Sequence, residues 1–152
     1  LVKHLLGLHN FRSVLIFCST KSAVKNLSRE LRRTNLKIDE IHSELEQKQR
    51  EEVLMRFKNR ELNVLVATDI LSRGIDIEDI DLVINYDVPN DGEDYIHRIG
   101  RTARAASKGI AYTFVDDKER KKFRRVEELL GKQVPKGVLP NFLSKTEKPQ
   151  TK

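Results

Sequence analysis

Arg98, Arg101 and Arg104 recur at intervals of three in the string His97-Arg98-Ile99-Gly100-Arg101-Thr102-Ala103-Arg104. On a short helical segment that spacing lines the guanidinium groups along one side. A guanidinium stays charged at any working pH and presents a planar fork of donors that matches phosphate oxygens, so the stripe suits a polyanion. Gly100 removes a side chain between the first two arginines and lets backbone approach a ligand or another domain closely. The ordinary reading of such spacing is a solvated helix face. Two features weigh against it here. The acids Asp87, Asp91, Glu93 and Asp94 come just before the stripe, so it is no indiscriminate basic run. A second unusual string, Ala67-Thr68-Asp69-Ile70-Leu71-Ser72-Arg73-Gly74-Ile75-Asp76, adds its own Arg-Gly turn and a carboxylate.

The rest of the composition limits what else the chain can do. A length of 152 residues fits one domain with a proper core. The formal charge of +6 and a pI near 9.5 favour an anionic partner, of which nucleic acid is the commonest. Cys18 is the only cysteine and sits in the apolar run Val14-Leu15-Ile16-Phe17-Cys18, which reads as a buried thiol in a reducing compartment. No apolar stretch reaches the ~18 residues a membrane span requires, so no membrane association is expected and the location is cytoplasmic, or nuclear in a eukaryote. His4, His9, His42 and His97 have no ligand spacing, and no metal held by protein side chains alone is expected.

Short apolar runs alternate with amphipathic stretches, the pattern of βα units around a parallel sheet. Strands are expected at Val14 to Cys18, Lys37 to Ile41, Val64 to Ala67, Leu82 to Asn85 and Ile110 to Val115. Ala23, Val24, Leu27 and Leu31 recur at helical spacing until Thr34-Asn35 breaks the pattern. Ser43-x-x-Glu46 reads as a capping box that starts a helix carrying Val53, Leu54 and Phe57. Phe123, Val126 and Leu130 give another apolar face, with Gly131 as its C-cap. The chain opens on Leu1, Val2, Leu5 and Leu6 as if cut from something longer, and from Lys132 its composition shifts to Lys, Pro, Gly, Ser and Thr.

Five segments then fall into one order. They are Val14 to Thr20, Gln47-x-x-Arg50 after His42, the string at 67–76, Val83-Ile84-Asn85-Tyr86-Asp87-Val88-Pro89, and the arginine stripe. In that order and at those intervals they resemble the DEAD-box RNA helicases of helicase superfamily 2. The resemblance implies an α/β, RecA-like three-layer fold with a central, mostly parallel sheet flanked by helices. It makes 1–131 the C-terminal of two such domains and 132–152 an extension or linker. ATP with Mg²⁺, held mainly by the N-terminal RecA-like domain, and single-stranded or duplex RNA would bind across the cleft between the two.

On this resemblance Arg101 and Arg104 match arginine fingers that stabilise charge on the transferred γ-phosphoryl group. Asp76 matches the acceptor for the ATP ribose and Gly74 lies beside it; a local turn or cap is the other reading of Asp76. Arg73, His97 and Arg98 match residues that couple the two domains. Alternatively Arg73 or Arg98 holds the motif loops together within this domain, and His97 is a packing residue. Thr20, Gln47, Arg50 and Thr68 match contacts to RNA sugar and phosphate, although Thr20 also suits a helix cap, and Gln47 and Arg50 a solvated face. Phe17 suits the core or a place against the arginine segment.

Ser72, Ala103 and His42-Ser43-Glu44 depart from the family's commoner residues without removing a charge the mechanism needs. The sequence contains neither G-x-x-x-x-G-K-[ST] nor the D-E-A-D tetrad, so the chain reads as half an enzyme, monomeric and without ATPase activity alone. Within the family the resemblance is nearest to bacterial cold-shock and ribosome-assembly members. The run Lys118, Arg120, Lys121, Lys122, Arg124 and Arg125 is either the solvated face of the last helix or an additional phosphate contact.

Overall fold

A computed structural model describes residues 2, 6, 12–68, 80–89, 93, 95, 98 and 110–131. Within them five strands form one sheet: β1 (Val14–Phe17), β2 (Ile38–Ile41), β3 (Val64–Ala67), β4 (Leu82–Asn85) and β5 (Ile110–Thr113). The spatial order is β2-β3-β1-β4-β5, and every neighbouring pair is parallel. Three helices are described with them: α1 (Lys21–Leu31), α2 (Gln47–Lys58) and α3 (Arg120–Leu130). All five expected strands are present, with ends within two residues of those read from the sequence.

The period of two in β1 sorts its side chains to opposite faces. Val14, Ile16 and Cys18 join Val24, Leu27 and Leu31 of α1 in one cluster, whereas Leu15 and Phe17 join Val53 and Phe57 of α2 in another. Helix, sheet and helix therefore stack as three layers. Because both faces are covered, β1, β3 and β4 are buried along their whole length, which is why β1 and β3 are unbroken apolar runs and β4 is apolar up to Asn85 at its end. A third cluster seats Phe123 and Val126 of α3 on Val88, Tyr95 and Val115. Cys18 is a buried free thiol.

β2 lies at one edge of the described sheet and is only partly buried. Its acids are neutralised from both neighbouring helices: Arg32 meets Glu40 at 3.0 Å and Arg56 meets Asp39 at 3.0 Å. Asp39 Oδ1 also accepts from the Glu40 backbone N–H at 2.8 Å, which occupies a donor that an added strand would need.

The strands end flush. Ile41, Ala67, Phe17, Asn85 and Thr113 form one register row across the sheet, and Asn85 Nδ2 donates to Thr113 Oγ1 within it at 3.0 Å. Chain leaving each strand therefore emerges along a single rim, the carboxyl edge at which open α/β sheets bind ligands.

One expectation is corrected. The helix after β2 is capped by Glu46 rather than Ser43, and the Glu46 backbone N–H donates to Gln49 Oε1 at 2.9 Å. The reason is the turn before it. His42 Nδ1 accepts from Glu44 N–H at 3.3 Å and His42 O accepts from Leu45 N–H at 3.2 Å, so Ser43 is spent in a turn that closes on His42. Gly131 is the left-handed C-cap of α3, at φ 72°, as its position suggests.

Arg60 takes the same left-handed conformation after α2, at φ 63°. Its N–H reaches Phe57 O at 3.1 Å, and Glu61 N–H reaches Arg56 O at 2.9 Å, the paired bonds of a Schellman motif. A side chain there is strained, and the residue is exposed. Arg60→Gly is expected to stabilise the domain by about 0.5–1 kcal/mol, the relief of strain less the backbone entropy of glycine. Thermal and urea melts of the two proteins measure it, and an equal or lower midpoint in the variant refutes it.

Candidate functional site

Four of the five proposed contact residues within the described part lie at the rim. Thr20 follows β1, Thr68 follows β3, and Gln47 and Arg50 form the first turn of α2, which the His42 turn carries up from β2. These three strands are adjacent in the sheet, so the four residues share one stretch of rim. Thr20 caps α1, its Oγ1 accepting from Ala23 N–H at 3.1 Å, yet it stays exposed. The cap uses the oxygen as acceptor and leaves the hydroxyl proton to donate outward. Gln47 is exposed and reaches Glu51 Oε1 at 3.3 Å. Arg50 donates from Nη2 to Ser43 O at 3.4 Å. Two polar atoms of the set, Arg50 Nε and Thr68 Oγ1, are buried without a hydrogen-bond partner among the described residues. Unsatisfied polar atoms are uncommon in native proteins, and here two fall within one small group.

The fifth, Arg98, is fully buried among groups of its own domain, which fits the alternative reading that it holds the motif loops together within this domain. Nη1 donates to Asp87 O at 2.9 Å, and Nη2 lies 3.3 Å from Ser19 Oγ and 3.5 Å from Asp87 Oδ1. The guanidinium also lies over the Phe17 ring, 5.5 Å from its centroid, so Phe17 fills the core and supports Arg98 at once. Asp87 completes the clasp by accepting from Ser19 N–H at 3.0 and 2.8 Å and from Ser19 Oγ at 2.6 Å. A charge this buried persists only when paired and hydrogen-bonded, and this clasp supplies both. It ties the chain after β1 and the chain after β4 to Arg98. Arg73, Gly74, Asp76, His97, Arg101 and Arg104 lie outside the described residues.

A salt-bridged tether holds the β2 to α2 turn against α1. Lys21 and Lys25 meet Glu44 at 2.5 and 2.9 Å, and their hydrogen bonds keep its carboxyl down at about 2. The folded value lies below the ordinary 4.5, so the tether acts above that value and is lost as pH falls from 4.5 toward 2. Glu44→Gln is expected to remove that part of the pH dependence. Melts of both proteins between about pH 6 and pH 2 check it, and parallel curves would refute it.

Comparison with known proteins identifies the arrangement. Residues 1–106 match the family model described as the helicase conserved C-terminal domain. The chain aligns along almost its whole length with the E. coli DEAD-box protein SrmB, solved bound to the regulator of ribonuclease activity A. The TM-score is 0.83 at 33% identity, over 97% of this chain and 87% of that one. This chain belongs to the C-terminal helicase domains of the DEAD-box proteins. It is 44% identical over 141 residues to the ATP-dependent RNA helicase DbpA of Bacillus subtilis, covering 93% of this chain and 29% of that protein. It is 43% identical over 120 residues to eukaryotic initiation factor 4A of Dictyostelium discoideum, covering 79% and 30%. The chain thus spans about 30% of the length of these curated relatives. Bacterial and eukaryotic relatives match equally well, so identity alone assigns no subfamily.

For a DEAD-box domain the sequence reading missed Ser19 and Asp87, which lie inside quoted motifs but received no role. The signal was there: a hydroxyl and a carboxylate, each just beyond a buried strand, flank a rim occupied by an arginine. Among the described residues no helix is long and apolar enough to cross a membrane.

Proposed function

We propose that this domain forms one wall of the ATP and RNA sites of an ATP-dependent RNA helicase, the other wall belonging to an N-terminal RecA-like domain of the same protein. The observation that carries the proposal is the shared rim: Thr20, Gln47, Arg50 and Thr68 converge there, with two polar atoms lacking partners among the described residues. Hydroxyl, amide and guanidinium donors suit phosphate and ribose oxygens, which carry no base information, so the contact is to RNA backbone whatever the sequence. The relatives named ATP-dependent RNA helicases support the same reading.

Arg101 and Arg104 act as fingers toward the γ-phosphoryl group. Asp76, beside Gly74, accepts from the ribose, and Arg73 and His97 meet the partner domain on closure. Bound ATP with Mg²⁺ supplies the phosphoryl group and its charge neutralisation. This domain's part is to position cations where negative charge spreads in a loose transition state. Local distortion of a bound strand then separates short duplexes. We place the protein in the cytoplasm, with residues 1–131 as the monomeric domain and 132–152 as its extension.

The test is ATP turnover by the whole protein with and without RNA. Stimulation by single-stranded RNA, and not by equal single-stranded DNA, is expected, and its absence refutes the proposal. The 1–152 chain alone is expected to hydrolyse ATP no faster than background.

A further inference from the structure

The run 118–125 holds Lys118, Arg120, Lys121, Lys122, Arg124 and Arg125, and no part of the proposed function uses it. Five of the six are exposed and Lys122 is half-buried, while Phe123 and Val126 turn inward to the core. Arg120 pairs with Asp117 at 2.9 Å, but Lys118, Lys121, Arg124 and Arg125 make no ion pair among the described residues. Glu119, the one acid within the run, is committed elsewhere: its Oε2 accepts from the Val88 backbone N–H at 2.7 Å. The acids of α3 itself, Glu127 and Glu128, come only in its second half.

This distribution runs against the helix. The first turn of α3 contains no acid, and the cations crowd the end where the macrodipole is positive. Like charges at spacings of three and four, as between Lys121, Arg124 and Arg125, repel one another as well. A face that only needed solvation would be better served by acids in the first turn and bases in the last. An anionic ligand removes both penalties.

Placement selects the anion. α3 begins just past the carboxyl end of β5, and the Glu119 bond fastens its start to the chain leaving β4. The cations therefore stand at the β4 and β5 end of the same rim that carries Thr20 beyond the central β1 and Thr68 beyond β3. Three strand spacings, roughly 14 Å, separate β3 from β5.

We infer that the exposed cations of α3 form a second RNA-phosphate contact, engaged by strand or duplex that continues past the rim. The inference rests on the RNA reading above. It adds a sequence-independent, salt-sensitive contact that only longer RNA reaches.

The experiment uses the whole protein with Lys121, Arg124 and Arg125 all replaced by Gln, and a second variant with all three replaced by Glu. The Gln variant removes the repulsion among the three cations, so it is expected to melt no lower than wild type, which separates impaired binding from impaired folding. Affinity is measured against salt for single-stranded RNA of about 6 and about 20 nucleotides, lengths within and beyond one compact site. For the longer RNA, the Gln variant is expected to lower the slope of log K on log salt by about 2, near 0.7 for each phosphate no longer neutralised. Binding of the short RNA and the ATPase it stimulates are expected to stay unchanged. An unchanged slope with long RNA overturns the inference, as does an equal weakening for both lengths. So does a variant that keeps RNA binding but no longer binds phosphatidylserine vesicles, which would make the face a membrane contact. Failure of wild type to respond to any RNA refutes the helicase reading itself, a separately visible result.

Discussion

Arg101→Ala in the whole protein is expected to lower RNA-stimulated ATP turnover by about three orders of magnitude while leaving the thermal melt of the domain unchanged. Phosphoryl transfer to water passes through a loose transition state with its charge spread over equatorial oxygens, so positioned cations outside the bond-making axis do most of the work. Arg98, three residues earlier in the sequence, is fixed by Asp87 and Ser19 and laid on Phe17. Arg101→Lys keeps the charge but loses the planar two-donor fork, and is expected to recover only a small part of the rate. Saturating RNA and ATP separate kcat from affinity. A kcat within twofold of wild type would remove the finger role from Arg101.

The fold was legible wherever burial acts on both faces of a strand. β1 and β3 are apolar throughout, and β4 up to Asn85, because helices cover both sides, and such runs show in sequence without any partner being known. β2 was legible as a strand, but its place at an edge, with its acids only partly buried, appears only in the fold. The start of α2 was not. Ser43 and Glu46 have the right spacing for a capping box, but His42 and the end of β2 decide where the turn closes, and they leave Glu46 as the cap. At the site, motif order pointed to the rim residues but not to their surroundings. Ser19 and Asp87 meet at a separation of 68 positions, a contact made only by folding. A sequence displays Arg98 as one more charge in a stripe, and full burial is a rare fate for that residue type. The unpartnered atoms of Arg50 and Thr68 are likewise visible only once the described residues around them are in place.

Asp87→Asn is expected to destabilise the domain by about 3 kcal/mol, which for a domain of this size lowers the melting temperature by roughly 10 °C. The Arg98 guanidinium has no exposure, whereas the Asp87 side chain keeps 23%, so the variant strands the more deeply buried partner. An asparagine matches the carboxylate in shape but offers an amide with two N–H donors in place of one of its oxygens. Ser19 N–H, Ser19 Oγ–H and Arg98 all donate toward that carboxylate, so a donor would face a donor. Asp81 provides a control at the opposite end of the sheet. It accepts from the Arg12 and Ser13 backbone N–H groups, at 2.9 and 3.2 Å, with no buried cation at stake among the described residues. Asp81→Asn is expected to cost about 1 kcal/mol or less. The decisive comparison adds Arg98→Met. If the cost of Asp87→Asn is that of an unpaired buried charge, the double variant is destabilised much less than the sum of the two single ones. Additive effects in urea melts would show that Asp87 and Arg98 act independently and that no clasp joins them.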